Sequence, residues 1–481
     1  MTARTDAATT TDPFQQSIVA LDRAHELARD WVQRLGTRPV SRRPGPADMA
    51  ALLDEPLSET GCDPSAAIDE WLRRAEPGIT ASPGPRFFGF VNGGSTPAAL
   101  AGDWLASAID QNAGFWLSSP AAAQTELVVL RWLKELFGLP ETWAGALTSG
   151  ATMANLVGLA AARQWAGQRM GFDPATDGLG GHSPIRVISS TEIHASALKS
   201  LGTLGLGRGS VQRLPAPGGS LDLDELRTVL HEIDGPVIVV ANAGEVNTGA
   251  FDDVAGIAAM CEAHPGGAWL HVDGAFGIFA AISPRYAELS RGVDRADSVA
   301  ADGHKWLNVP YDCGFAFVRD ADALRTAFNA VGSYLAPGQD TGWDPASHVP
   351  EMSRRFRGLA AWCALRAYGR EGYREMVERC AANAADFAAW VEAPAGVELM
   401  APAPLNIVCF RYVVEDDDDA NDALNRNAVA AIQRDGRIFV TGTVWNGRAA
   451  IRAAFDNWAT RTSDVDILKE TIAGIGVQLR S

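Results

Sequence analysis

Lys305 directly follows His304 at the end of an apolar run, in SVAADGHKWLNVP from Ser298 to Pro310. A primary amine in that setting can reach a buried ligand and bond covalently to a carbonyl compound. Upstream, AWLHVDGA from Ala268 to Ala275 closes a second apolar run with Asp273, a carboxylate able to pair with a protonated ring nitrogen. Gly274 and Ala275 beside it are small enough to let a flat ring lie close to the backbone. Taken singly, both residues have plainer readings. A lysine near a strand end is more often a surface residue, and an aspartate there often caps a helix or makes a turn.

Three further stretches join the pair. LTSGATMANLVGLAAA, Leu147 to Ala162, sets Ser149, Gly150 and Thr152 at the start of a helix rich in alanine and leucine. N–H groups at a helix start, with the dipole behind them, suit a phosphate. The stretch lacks the spacing of a P-loop or a dinucleotide fingerprint and reads equally well as a capped helix. His194, in SSTEIHASALKSL, follows the apolar run Ile185 to Ser190 and can stack on a ring, although a lone histidine is more often structural. Asn247 and Thr248, in AGEVNTGAFDD, follow the run Pro236 to Ala241 in the same way, with turn formation as the alternative. Most of these candidates follow different strands, and open α/β sheets bind ligands outside the carboxyl ends of their strands. Unrelated structural residues have no reason to line up so. Together they fit pyridoxal phosphate (PLP), a frequent carbonyl partner of enzyme lysines.

The elements that must position them alternate along the chain. Thr125 to Phe137 reads as an amphipathic helix. Beyond it, Ile185 to Ser190, Pro236 to Ala241, Ala268 to Asp273, Ser298 to Ala301 and Gly314 to Val318 read as strands separated by helical segments. That order predicts an α/β fold with a mostly parallel sheet covered on both faces. Ahead of it, Ser17 to Leu35 and Asp48 to Arg74 have helical spacing on either side of the Pro-rich Arg38 to Pro46, with Pro56 and Pro64 breaking the second segment. Behind it, a long helical pattern from about Phe356 through Arg379 and strand-like runs at Leu405 to Tyr412 and Ile438 to Gly442 predict a smaller α+β unit. The acidic run Glu415 to Asp419 reads as a solvated loop. The predicted organisation is an N-terminal helical arm (1–84), a large domain (85–352) and a small C-terminal domain (353–481).

Composition narrows the partners. With 41 Lys plus Arg against 58 Asp plus Glu, the net charge of −17 opposes nucleic acid. The six cysteines are scattered, without metal-ligand spacing or the density of a disulfide framework, so no metal is expected. Met1 to Ile18 lacks the apolar core of a signal peptide, and no apolar run reaches the roughly 18 residues of a membrane span. The expected location is the cytoplasm.

The residues resemble the group II PLP-dependent decarboxylases, the family of aromatic-amino-acid, histidine and glutamate decarboxylases. The resemblance spans most of the chain and rests on PRFFGF (Pro85 to Phe90), SSPAAAQTEL (Ser118 to Leu127), TSGATMANL (Thr148 to Leu156), the His194 segment, HVDGA, DGHKWL and SRRFRGLAAW (Ser353 to Trp362). It implies a fold of the aspartate-aminotransferase type and a homodimer with the active site at the subunit interface. In that arrangement Lys305 forms the Schiff base, Asp273 pairs with the pyridine nitrogen, His194 stacks on the ring and Ala275 touches its other face. Gly150, Ala151 and Thr152, helped by His304, hold the phosphate. The reaction implied moves an L-amino acid onto PLP, removes CO2 from Cα and reprotonates the carbanion. The Pro85 to Phe90 segment resembles part of the family's substrate-pocket wall, with Phe90 at a position where aromatic decarboxylases place a tyrosine. Phe87, Phe88, Phe90 and Trp116 suggest an apolar or aromatic substrate side chain, although aromatic residues near a motif are usually core.

One departure bears on the product. Aromatic decarboxylases carry a mobile loop whose tyrosine protonates the carbanion, whereas Val331 to Met352 is shorter here and holds only Tyr334. His348 is an alternative acid. Relatives lacking that tyrosine let the carbanion react with O2, giving an aldehyde, ammonia and peroxide. Decarboxylation to the amine is therefore the first expectation and decarboxylation-dependent oxidative deamination the second, ahead of aminotransfer or β-elimination. A binding protein that kept the fold but lost catalysis is opposed by the retention of Lys305, Asp273 and His194.

Overall fold

The structure is a computed structural model that describes residues 12–42, 44–329, 342–393, 396–414 and 416–479. Tyr334 and most of the loop that holds it lie outside the described residues.

The chain opens with α1 (Pro13–Arg34), α2 (Pro46–Leu53) and α3 (Pro64–Ala75). Each begins on a proline, whose missing N–H is harmless in the first turn, and Asp12 and Asp63 cap the first and third. Pro64 therefore starts a helix while separating it from the one before. α4 (Pro97–Ile109) and α5 (Pro120–Phe137) follow.

The central sheet has seven strands: β1 (Ala144–Thr148), β2 (Arg186–Ser190), β3 (Val211–Leu214), β4 (Val237–Asn242), β5 (Ala268–Asp273), β6 (Ser298–Asp302) and β7 (Gly314–Val318). Their order is β1-β7-β6-β5-β4-β2-β3, and within it only β7 runs against the rest. Helices α6 (Ala151–Arg169), α7 (Ala195–Thr203), α8 (Leu223–His231) and α9 (Val254–Ala263) make crossovers, and α10 (Ala321–Phe328) follows β7. Alternate strand residues enter two cores: Val239, Val272 and Phe317 pack on one face, Ile238, Val240 and Trp269 on the other. Burial on both faces is why these strands read as continuous apolar runs. The two strands that pattern missed, β1 and β3, are the edges of the sheet. β3 carries Gln212 and Arg213, and β1 opens on Ala-Gly-Ala, small residues with little strand preference.

The C-terminal part packs α11 (Gly358–Val391), α12 (Asp418–Asp435) and α13 (Thr462–Gln478) on an antiparallel sheet of β8 (Val397–Leu399), β9 (Ile407–Tyr412), β10 (Thr441–Trp445) and β11 (Arg448–Ala454), ordered β10-β11-β9-β8. Two expectations change. The run Ile438 to Gly442 enters β10 only at Thr441, because Phe439 pairs instead with Phe87 in an isolated bridge. The acidic run leads into a helix rather than forming a loop: Asp417 caps α12, and Asp418 and Asp419 lie in its first turn, where the dipole favours negative charge.

Candidate active site

The site lies where β1, β2, β5 and β6 end. After β1, Gly150 turns the chain into α6 with φ 150°, and a Cβ there would come within 3.1 Å of His304. β7 presses on the same turn from behind, since a Cβ on Gly314 would meet the Gly150 backbone at 2.5 Å. The turn is thus held by close backbone approach. It aims the start of a 19-residue helix at a cavity of about 250 Å3 lined by Gly150, Ala151, Thr152, His194, Ala275, His304 and Lys305. Ser149, Met153, Ser196, Asp302 and Tyr311 complete its wall. A narrower space shares His194, Ala275 and Lys305 with it and is also lined by Asp273 and Phe276.

Lys305 sits in the turn after β6, anchored by the buried Trp306 and Leu307 that follow it. Tyr373 of α11 donates to the Leu307 carbonyl at 3.0 Å. The segment after PRFFGF fits against this turn: Gly93 N–H donates to His304 O at 3.2 Å, and a Cβ on Gly93 would fall 1.8 Å from Lys305 O. Lys305 Nζ is 3.2 Å from Asp302 Oδ2. Asp302, the last residue of β6, also accepts the Ala151 N–H at 2.5 Å. His304 donates from Nδ1 to the Cys313 carbonyl at 3.0 Å and stacks on Tyr311 with centroids 4.2 Å apart. Burial pushes its pKa down.

Asp273 ends β5, where its carboxylate accepts from Asn155 Nδ2 at 2.8 Å and from the Ala275 N–H at 3.2 Å. His194 caps α7: its Nδ1 accepts from the Ser196 N–H at 3.2 Å and lies 2.6 Å from Ser196 Oγ. Burial holds its pKa below the ordinary value against the pull of Asp273. An imidazole uncharged at neutral pH packs on an aromatic ring without bringing a second cation beside Lys305.

The fold thus brings Lys305, His194, Ala275, His304 and the Gly150 to Thr152 turn to one cavity and Asp273 to the adjoining space. Other candidates lie elsewhere. Asn247 and Thr248 form a turn closed by the buried Glu245, which takes both their backbone N–H groups and both their side chains. Asn247 Oδ1 also accepts from Thr443 Oγ1, so the Asn247 side chain faces the small sheet. Phe88 is corrected outright. Its backbone bonds to Phe439 and Ala454 beside the small sheet, and its buried ring lies 5.1 Å from that of Phe455 in the core there. Phe90, at φ 57°, is 60% exposed. Trp116 belongs to a loop tied to Asp344 and is absent from the wall of either space. His348 is buried beside Trp343 and Ser347, with burial lowering its pKa to about 4, and it does not line the cavity.

The residues missed from sequence are Asp302, Tyr311, Ser196 and Asn155. Asp302 and Asn155 sit inside DGHKWL and TSGATMANL, and the end of an apolar run was the available signal for Asp302. Asn155 gives no such signal, since its partners come from other strands.

The donor set can be tested against PLP. It offers an amine inside a cavity of suitable size, a helix start for a phosphate, a buried carboxylate for a ring nitrogen, and Ala275 and His194 to enclose a ring. These residues fit the cofactor. Among known proteins the chain is 28% identical over 452 residues to the aromatic-L-amino-acid decarboxylase of Bacillus atrophaeus, covering 92% of each. It is 27% identical over 446 residues to the phenylacetaldehyde synthase of Arabidopsis thaliana, covering 89% of each. The crystal structure of Oryza sativa TDC with PLP and tryptamine superposes with a TM-score of 0.90 at 26% identity, covering 98% of this chain and 100% of that one. The model of the pyridoxal-dependent decarboxylase conserved domain matches residues 46–413. With cavity, lysine and fold in agreement, the chain belongs to the family of pyridoxal-dependent decarboxylases, enzymes of PLP fold type I.

Proposed function

We propose that the protein decarboxylates an aromatic L-amino acid to its amine, with Lys305 holding PLP. The observation that carries the reading is Lys305 inside the cavity, with the start of α6 on one side and Asp273 on the other. When bound, PLP supplies a ring that accepts the electron pair left by CO2. The Lys305 amine would hold the cofactor and, when not bonded to it, could move a proton at Cα. With PLP bound, Asp273 would keep the ring nitrogen protonated, His194 and Ala275 would enclose the ring, and the Gly150 to Thr152 turn with His304 would hold the phosphate. Residues so placed would orient the substrate so that the bond to its carboxylate can break toward the ring. Likeness to the B. atrophaeus enzyme supports the aromatic substrate class. Asn247 and Thr248 support the site indirectly, as part of the turn that Arg452 of β11 also holds through Val246 O.

Oxidative deamination is the second reading, supported by likeness to the A. thaliana aldehyde synthase and by a loop with a single tyrosine. Incubating the PLP-loaded enzyme in air with L-tryptophan, L-tyrosine and L-phenylalanine, and measuring CO2, amine, aldehyde and peroxide, separates the two. Amine equal to CO2 without peroxide is expected. Aldehyde and peroxide equal to CO2 would replace the first reading by the second. No CO2, with Lys305→Ala behaving like the wild type, would reject both.

We further read the enzyme as a cytoplasmic homodimer whose arm (1–84) wraps a second copy, beside a large domain (85–352) and a small one (353–481). Exposed Ile18 and Leu21 of α1, Trp71 of α3 and Leu105 and Ile109 of α4 support a covering partner. The same subunit contact offers a way to bring Phe90 and Trp116 to substrate. Free buried thiols at Cys261, Cys313, Cys380 and Cys409 support a reducing compartment. Among the described residues no helix is long and apolar enough to cross a membrane.

A further inference from the structure

One amide joins two residues of the site. Asn155 lies one turn into α6 and is fully buried. Its Nδ2 donates to Asp273 Oδ2 at 2.8 Å and to Ser196 Oγ at 3.1 Å. Its Oδ1 lies 2.8 Å from His271 Nε2, and His271 Nδ1 lies 2.8 Å from Ser298 Oγ. Trp269 Nε1 donates to the same hydroxyl at 2.8 Å.

The directions follow from what each group can do. A carboxylate only accepts, so the Asn155 atom facing Asp273 is its NH2 group, and its oxygen faces His271. His271 Nε2 must then carry the proton, and its Nδ1 accepts from the Ser298 hydroxyl. That hydroxyl is free to donate because it accepts from the Trp269 N–H. On the other branch, Ser196 accepts from Asn155 and donates to His194 Nδ1, which already accepts a backbone N–H. Donor and acceptor alternate from Trp269 to both Asp273 and His194. Burial keeps His271 neutral, as one hydrogen bond given and one taken require. Gly158, three residues beyond Asn155 on α6, makes the room: a Cβ there would lie 2.8 Å from the His271 ring.

We propose that Asn155, held in one orientation by His271, is a positioning residue that sets Asp273 and His194 together. This rests on Asp273 serving the cofactor's ring nitrogen. Without the Asn155 donor, the proton shared between Asp273 and the ring nitrogen moves toward the carboxylate, and the ring becomes a poorer acceptor of electrons. The charged groups acting on His194 are Asp273, Lys305, Arg452 and Asp302, and on His271 Asp273. Apart from Asp273 itself, none of them belongs to the chain of hydrogen bonds.

The test uses the PLP-loaded enzyme with Asn155→Leu, His271→Phe and His271→Gln. In the first two, kcat is expected to fall on the order of tenfold with KM changed by less than about twofold, the rate factor of one pKa unit. The pH at which the cofactor's visible absorbance band changes is expected to shift in both. His271→Gln, whose amide can place an N–H near the Nε2 position, is expected to restore both readouts. If His271→Phe lowers only the melting temperature, leaving kcat and the absorbance profile as in the wild type, the chain is mere packing and the proposal fails. Should these variants not fold, Ser298→Ala frees His271 to adopt the other tautomer and is expected to give the same spectral shift; an unchanged profile overturns the proposal. Asp273→Asn serves as the control. If it too leaves the absorbance unmoved, it is the reading of Asp273 that fails, and the proposal loses its basis.

Discussion

Asp302 and Ala151 meet across the site: the carboxylate ending β6 accepts the first N–H of α6 at 2.5 Å. The same carboxylate faces Lys305 Nζ at 3.2 Å. A carboxylate thus already stands at the helix start proposed to hold the cofactor's phosphate.

Asp302→Asn keeps a hydrogen-bond acceptor for Ala151 and removes one negative charge beside the phosphate. The variant is expected to bind PLP about tenfold more tightly, the effect of relieving a partly screened repulsion of about 1–2 kcal/mol. Titrating PLP into the cofactor-free protein while following absorbance measures this. Weaker binding would mean that the carboxylate's hold on Lys305 matters more than its repulsion.

Arg354 and Glu126 form a buried pair behind β1, with Nη2 to Oε1 at 3.0 Å and Nη1 to Oε2 at 3.2 Å. Arg354 also donates to the Ala113 carbonyl, and Glu126 accepts the Leu147 N–H. Arg354→Met leaves a buried charge without its partner and is expected to cost about 3–5 kcal/mol in urea unfolding. Adding Glu126→Gln is expected to recover part of the loss, whereas additive losses would argue against a coupled pair.

Asp456 supplies a pH dependence. It is buried, Oδ1 accepts the Asn92 N–H, Oδ2 has no partner among the described residues, and desolvation raises its pKa to about 7 despite the attraction of Lys305. A carboxyl raised above its unfolded value of about 4 favours the folded state while protonated, and that contribution is lost as pH rises through about 7. The loss runs from about pH 4 to about pH 7, so Asp456→Asn is expected to match the wild type only below about pH 4, to gain on it between, and to be more stable above pH 7 by on the order of 4 kcal/mol. Melting temperatures at pH 5 and pH 8 test this; an equal difference at both would reject it.

His348 was the alternative acid for the carbanion. Its Nε2 faces the Trp343 indole N–H at 3.5 Å and its Nδ1 faces Ser347 Oγ at 2.8 Å, away from the cavity. His348→Phe is expected to leave the ratio of amine to aldehyde unchanged within about twofold, far from the 100-fold or greater effect of losing a general acid. A swing toward aldehyde and peroxide would return the acid's role to His348.

Local pattern carried a large part of this reading. Apolar runs marked β2, β4, β5, β6 and β7, and the carboxyl ends of the parallel ones among them lie at one edge of the sheet, which is how Lys305, Asp273 and His194 could be named. Gly150 was legible from the helix pattern that follows it, because small residues leave the first N–H groups of such a helix open to a phosphate.

By itself, then, the sequence determined the inner strands of the large sheet and which reactive groups stand near their ends, since these depend on neighbours a few residues away, while the edge strands β1 and β3 and the start of α12 stayed hidden in it. The tertiary structure alone decided what each side chain meets. Phe88 turned out to be core because Phe439 and Ala454, some 350 residues on, bond to its backbone. Asn155 became the link between Asp273 and His194 only when α6, β5 and α7 were packed together. Lys305 was named from its place at a strand end, but its setting, between Asp302 and Gly93, is made by segments that no spacing along the chain could bring into view.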